Sequence, residues 1–363
     1  MDKRAGLFEN KFKESTTMLP AIFSQNGWTS SIINPTAECG QRVNEGSSKK
    51  QITNLINNKF LEEFEILYKI IPDSISRDLQ QRVKLVRGSF AKRNSVYYSL
   101  LSVSTPEVRN FLYEKGMYHN PENEVVYSQE FLKNYSELYY LPKLTGFSSQ
   151  GNTFTVFNNS LPHFSTRLNY PNYDISEKSQ EDYSCPMQIN DNSWSLKHYH
   201  VNVAMLKMLG VYFDYLRQND VFDNTRIIVV ADHGYKVGNP DLGQFESEIY
   251  LPYNPLLLVK DFGSNGELKI INKVMTNADV PLIATSGVVK NPINPFTNKS
   301  LKDSDKQKGI LIKQDTKWQP VHYLGKEKIL VGSDKFLYVK GDPLNHQNWK
   351  LNLSYEEALK LSK

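Results

Sequence analysis

Cysteine is almost missing from this chain: 363 residues hold two, Cys39 and Cys185. Two cysteines build no disulfide framework; they form one bridge or none, and spacing alone does not pair them. Neither sits in a CxxC or Cys/His spacing, which argues against a structural zinc knot. Long apolar runs are missing too, since none approaches the ~18 residues that a membrane span needs. The opening MDKRAGLFENKFKESTTMLP is charged and lacks the apolar core of a signal peptide. A strong charge of one sign is also lacking: 43 basic against 39 acidic residues leave +4. That surplus is too small and scattered to argue for nucleic acid. The densest basic stretch, with Lys84, Arg87, Lys92 and Arg93, reads as a solvated helix face or a substrate rim. No internal repeat or low-complexity tract is present.

What is there is a globular composition, 39% hydrophobic and 23% charged, long enough for one large domain or two ordinary ones. Four short apolar or β-branched runs end in polar or turn residues: Thr29–Ile33, Thr153–Phe157, Arg226–Ala231 and Pro255–Val259. Runs of this kind suit parallel strands covered on both faces. Helical spacing is clearest over Ser195–Asn219, where Met205, Leu209, Tyr212, Phe213 and Leu216 recur on one face. Thr16–Asn26 reads as a short helix capped by Ser15 or Thr16 and stopped by Gly27. Phe60–Ile70, Gln129–Tyr140 and Asp279–Ser286 are further helical candidates. Strands alternating with helices predict an α/β, doubly wound, mostly parallel sheet with helices on both faces. It occupies residues 1–290, with a helical insertion over 34–128. Residues 291–363 form a small turn-rich appendage with short β candidates at Lys328–Val331 and Phe336–Val339.

In such sheets ligands gather at the carboxyl ends of strands. The run TRIIVVADHG ends in Asp232 and His233, which can share one divalent ion if the chain turns sharply, with Gly234 giving the freedom to turn. Mixed O/N donors suit manganese or zinc better than calcium. The bland alternative is an Asp-capped turn beside a surface histidine. TFTVF ends in a second polar loop, placing His163 on the same rim with Asn158 and Asn159 beside it. Those donors suit the oxygens of a phosphate or sulfate ester, although a lone loop histidine is the competing reading. His198 and His200 are two apart on a helix and so face apart, which favours a structural role, with one of them able to line the pocket. His119, His322 and His346 have no convincing partner, and Glu246 and Glu248 read as a solvated loop.

The order VFDNTRIIVVADHG, polar loop, PLLLV resembles the sulfatase and alkaline-phosphatase superfamily. The branch it is most similar to is that of lipoteichoic acid synthases and phosphoethanolamine or phosphoglycerol transferases. The resemblance runs from about Thr16 to Pro295, is specific over 198–282, and includes Met275–Leu282 (MTNADVPL), like the family's Asp-x-x-Pro segment. It implies an alkaline-phosphatase-like fold, Asp232 and His233 as metal ligands, and His163 against the substrate phosphate or sulfate. It also implies hydrolysis or transfer of sulfate or phosphate esters of an envelope glycan or lipid, on the extracytoplasmic face of a bacterial membrane.

One departure accompanies it. The family's first strand, its metal-binding acid and its Thr, Ser or modified Cys nucleophile precede the region that Thr29–Ile33 resembles. Only 28 residues stand there in this sequence, and Ser15, Thr16 and Thr17 read as helix caps. The family's membrane anchor has no counterpart either. The expectation is therefore a chain lacking the first strand and nucleophile, as a fragment, a split gene or a pseudoenzyme. The alternative function is a non-catalytic protein of this fold that binds a glycan or a partner.

Overall fold

The computed structural model describes residues 3–34, 64–83, 95–96, 98–114, 127–147, 150–176, 194–236, 249–302, 308–314 and 335–362. Cys39, Cys185, His119, His322, Glu246, Glu248, the Lys84–Arg93 stretch and the Lys328–Val331 strand candidate lie outside them.

Helix α1 (Lys3–Gln25) leads into strand β1 (Thr29–Ile33) through a left-handed stop. Gly27 takes φ +82°, Trp28 N donates to Phe23 O and Gly27 N to Ser24 O, which together close off the last helical carbonyls. The Phe23 and Trp28 rings meet edge-on at 5.0 Å across that stop. The helix is twice the expected length, so Ser15, Thr16 and Thr17 lie in its interior and not at its N-terminus. The cap reading is thereby corrected: the charged residues upstream continue the helix, and Thr17 is buried in it.

β1 is the centre of a three-stranded parallel sheet, flanked by β2 (Leu67–Lys69) and β3 (Thr153–Phe157). Ser31 and Thr155 hydroxyls pair across the sheet at 3.0 Å. Residues 60–63 of the helix expected over Phe60–Ile70 lie outside the described residues; over the rest β2 corrects it, since Glu65 turns the backbone to φ +52° and Leu67–Lys69 pair with β1. Pairing with a distant strand overrides a local helical pattern here. Within the stretch 34–128 come α2 (Ser74–Arg82) and α3 (Pro106–Glu114), and after it α4 (Gln129–Tyr139), whose N-cap Ser128 accepts from Phe131 N. The long helix α5 (Trp194–Gln218) follows as expected. With α2, α4 and the loop around Leu161 and Leu168, it encloses the largest apolar cluster.

Strands β4 (Ile227–Val230) and β5 (Leu257–Lys260) form an antiparallel pair of their own. The expectation of four strands in one parallel sheet is corrected on this point. A parallel partner needs a crossover that carries the chain back across the sheet. Between β4 and β5 the described residues hold only the single turn Leu251–Tyr253, and Ala231 N already donates to Leu256 O. β4 is half-buried, not enclosed on both faces; Ile228 packs with Phe154 of β3 and with α1 in a shared cluster. The last of that cluster comes from α6 (Val280–Thr285) and Val289. A small hairpin, β6 (Ile293–Asn294) and β7 (Lys299–Ser300), leads to the antiparallel sheet of β8 (Ile310–Gln314), β9 (Lys335–Val339) and β10 (Trp349–Leu353), and the chain ends in α7 (Tyr355–Ser362). The Phe336–Val339 expectation is met by β9. The molecule is thus mixed α/β with a small parallel sheet. Among the described residues no helix is long and apolar enough to cross a membrane.

Candidate functional site

Three histidines from three elements bear on one site through their charges. His163 closes the 3-10 turn Leu161–His163 after β3, His198 sits in the first turns of α5, and His233 follows β4. Burial is the main cause holding the His198 imidazole below its usual pKa, and the charges of His163 and His233 push the same way, so both lie within its electrostatic reach. His198 Nδ1 lies 2.5 Å from Asn202 Nδ2, whose hydrogens also reach His198 O at 2.8 Å. With the amide as donor, His198 Nδ1 accepts and Nε2 carries the proton. The Tyr235 ring stacks on it at 4.5 Å. The expectation that His198 and His200 face apart holds: His200 is fully buried and its Nδ1 accepts from Leu168 N at 3.1 Å.

The ADHG turn is shaped by what surrounds it. Asn277 Nδ2 donates to Ala231 O at 3.1 Å and Asp232 O at 3.2 Å, and Gly234 N donates to Pro252 O at 2.9 Å. The MTNADVPL segment therefore clamps the strand end, itself held by a capping box between Thr276 and Asp279. Gly234 is needed for space: a Cβ there would lie 1.8 Å from Leu251 O. That close approach, and not the freedom of φ expected of a turn glycine, is its role.

Asp232 and His233 are both exposed, with Asp232 Oδ1 accepting from His233 N at 2.9 Å. His233 Nδ1 is 2.6 Å from Gly234 O; a carbonyl only accepts, so Nδ1 carries the proton and Nε2 offers its lone pair. That Nε2 stands 3.8 Å from Asp232 Oδ2. Two donors each about 2.1 Å from a tetrahedral zinc ion lie about 3.4 Å apart, so the pair needs little adjustment to share one. The donor set fits a divalent ion to this extent. Among the described residues no group of three or more His, Cys, Asp or Glu side chains is arranged to hold one.

Asn158 and Asn159 have other engagements. Asn158 Nδ2 donates to Asn34 O at 3.0 Å, and Asn159 Nδ2 to Asn134 O at 2.9 Å and Glu137 Oε2 at 3.1 Å. Their donors hold the loop, while His163 is left exposed on its rim. Sequence reasoning did not single out Asn202, Asn277 or Glu137. Asn277 alone had a signal, its place inside MTNADVPL. Compared with protein-family models, curated proteins and solved structures, the chain matches none.

Proposed function

We propose that the chain is a sulfatase-like, metal-dependent protein that binds a sulfate or phosphate ester between the His163 turn, the start of α5 and the end of β4. The observation that carries this reading is the His233 tautomer: Nδ1–H spent on Gly234 O leaves Nε2 facing Asp232 Oδ2. A bound manganese or zinc ion would supply a Lewis acid for an ester oxygen. Asp232 and His233 hold it, His198 offers Nε2–H to an anionic oxygen, and His163 steadies the transferred group. The resemblance of VFDNTRIIVVADHG and MTNADVPL to the sulfatase and alkaline-phosphatase superfamily supports the same reading, including an alkaline-phosphatase-like fold and an envelope glycan or lipid as substrate.

A second reading, a non-catalytic binder on this fold, is favoured by one observation. Ser15, Thr16 and Thr17, the hydroxyls where a nucleophile was sought, lie in the interior of α1. Metal analysis and turnover separate the readings. Dialysis against manganese or zinc is expected to leave one bound ion in the parent and none in Asp232→Ala or His233→Ala. Bare parent protein, with both variants indistinguishable from it, sinks the metal site. Turnover of p-nitrophenyl phosphate or sulfate that falls in His163→Ala selects the enzyme; binding of inorganic sulfate without turnover selects the binder.

A further inference from the structure

The loop that carries His163 is tied down to α4 by a relay of hydrogen bonds. Asn134 and Glu137 stand three residues apart on one side of that helix. Asn134 Oδ1 accepts from Ser160 N at 2.8 Å, and Glu137 Oε2 accepts from Asn159 Nδ2 at 3.1 Å. Asn159 Oδ1 in turn accepts from Leu161 N at 3.0 Å, and Ser160 O from His163 N at 3.0 Å. Leu161, between them, is wholly buried against α4 and α5. The loop is therefore plugged by one apolar side chain and steered by two polar ones.

Glu137 is the unexpected member. It is 3% exposed, in a place where a leucine would pack without having to be dehydrated. A leucine, however, would leave Asn159 without its side-chain acceptor, and Asn159 is what orients the amide of Leu161. We propose that Glu137 is a positioning residue for His163, acting through Asn159 to set the turn that carries the imidazole within electrostatic reach of His198. This rests on the reading of that cluster as the ligand site.

The surroundings of Glu137 make the clamp sensitive to pH. Burial pushes its carboxyl up to about 7; Lys133 on its own helix opposes this, as do the amides of Asn159 and Asn34, and Asp73 before α2 adds to it. Lifting the loop would let water reach the carboxyl, so ionisation favours lifting. The loop is held tightest with Glu137 protonated, when its carbonyl oxygen still accepts from Asn159, and loosens as pH rises through about 7.

Amide hydrogen exchange on the full chain, corrected for intrinsic rates, tests this at Ser160, Leu161 and His163, with Asn348 as the internal reference. In the parent, opening of these amides should rise by up to about tenfold between pH 6 and pH 8. Glu137→Gln keeps an acceptor and cannot ionise, so it should open no more readily than the parent at pH 6 and show no rise. At pH 6 Glu137→Ala and Asn159→Ala should open about tenfold more readily than the parent, the effect of a lost hydrogen bond, and Glu137→Ala should show no further rise at pH 8. The affinity for inorganic sulfate in the presence of manganese should fall in Glu137→Ala and be restored in Glu137→Gln. Exchange at pH 6 in both alanine variants equal to the parent overturns the proposal, as does unchanged sulfate affinity in a Glu137→Ala chain whose loop has opened. Should Glu137→Ala fail to fold, Glu137→Gln and Asn159→Ala carry the comparison. Loosened exchange in a chain whose parent binds no sulfate supports the clamp on the turn and overturns instead the reading of the histidine cluster as a ligand site.

Discussion

At Gly234 the constraint comes from across the turn, where the Leu251 carbonyl occupies the space a methyl group would need. Main chain does not swing aside as a flexible side chain does, so Gly234→Ala must displace the ADHG turn or the Leu251–Tyr253 turn. The expected cost is about 1–3 kcal/mol in urea unfolding, with loss of any metal bound by the parent. A variant as stable and as metal-competent as the parent would show that the turn is not held where the structure has it. Glu137 gives a residue-scale prediction of a different kind. Its folded-state pKa of about 7 lies above the ordinary 4.5, so the folded chain keeps a proton that the unfolded chain releases. Its contribution to stability is present below the unfolded value and lost as pH rises through about 7. Relative to the parent, Glu137→Gln should therefore gain stability between pH 4.5 and pH 8, by up to roughly 3 kcal/mol. Equal pH dependence of the two urea midpoints would refute it.

At the scale of elements, Arg226 does for β4 what Asn277 does for the turn after it. Its Nη1 reaches Ile283 O, Ala284 O and Ser286 O at 2.9, 3.0 and 2.6 Å, capping the C-terminus of α6, while Nε and Nη2 grip Asp261 Oδ1 at 2.9 and 2.8 Å. One guanidinium joins the start of β4, the residue after β5 and the end of α6, with the positive charge where a helix C-terminus favours it. The side chain is 10% exposed but Asp261 is 56% exposed, so the gain lies mainly in the carbonyls. Arg226→Met should cost roughly 2–3 kcal/mol, and Arg226→Lys nearly as much because an ammonium lacks the fork. Thermal unfolding checks both; a lysine variant as stable as the parent would reduce Arg226 to a point charge. Helix α5 shows element geometry sorting chemistry: a shift of two residues sends His200 into the core and leaves His198 stacked on Tyr235 after β4.

Across the whole molecule, apolar packing is divided among several clusters. One lies among α2, α4 and α5, another joins α1 and α6 to β3 and β4, and a third holds β9 and β10 against Ile249 and Tyr253. The candidate site joins the end of β4 to the start of α5 and the Leu161–His163 turn, which pack against each other. An ion bound only by the folded chain should raise unfolding free energy by about 2.7 kcal/mol at a hundredfold excess over its dissociation constant. Added manganese or zinc should therefore raise the melting temperature of the parent and leave Asp232→Ala where it was. An equal shift in both would place the binding elsewhere.

Much was legible in local sequence because its causes are local. The apolar runs of β1 and β3, the helical stripe of α5, the stop at Gly27 and the acid–imidazole pair after β4 each depend on neighbours within a few residues. Burial periodicity says nothing of strand direction, so the antiparallel pairing of β4 with β5 was out of its reach, as was β2, a strand only because β1 lies beside it. The same holds for the site. The amino-acid sequence by itself determined which side chains end the strands. Only the tertiary structure decided that His198 stacks on Tyr235 and feels the charges of His163 and His233, that Asn158 and Asn159 hold the loop, and that a carboxyl from α4 lies beneath it. Those contacts join segments tens of residues apart, and no local periodicity encodes a distance of that kind.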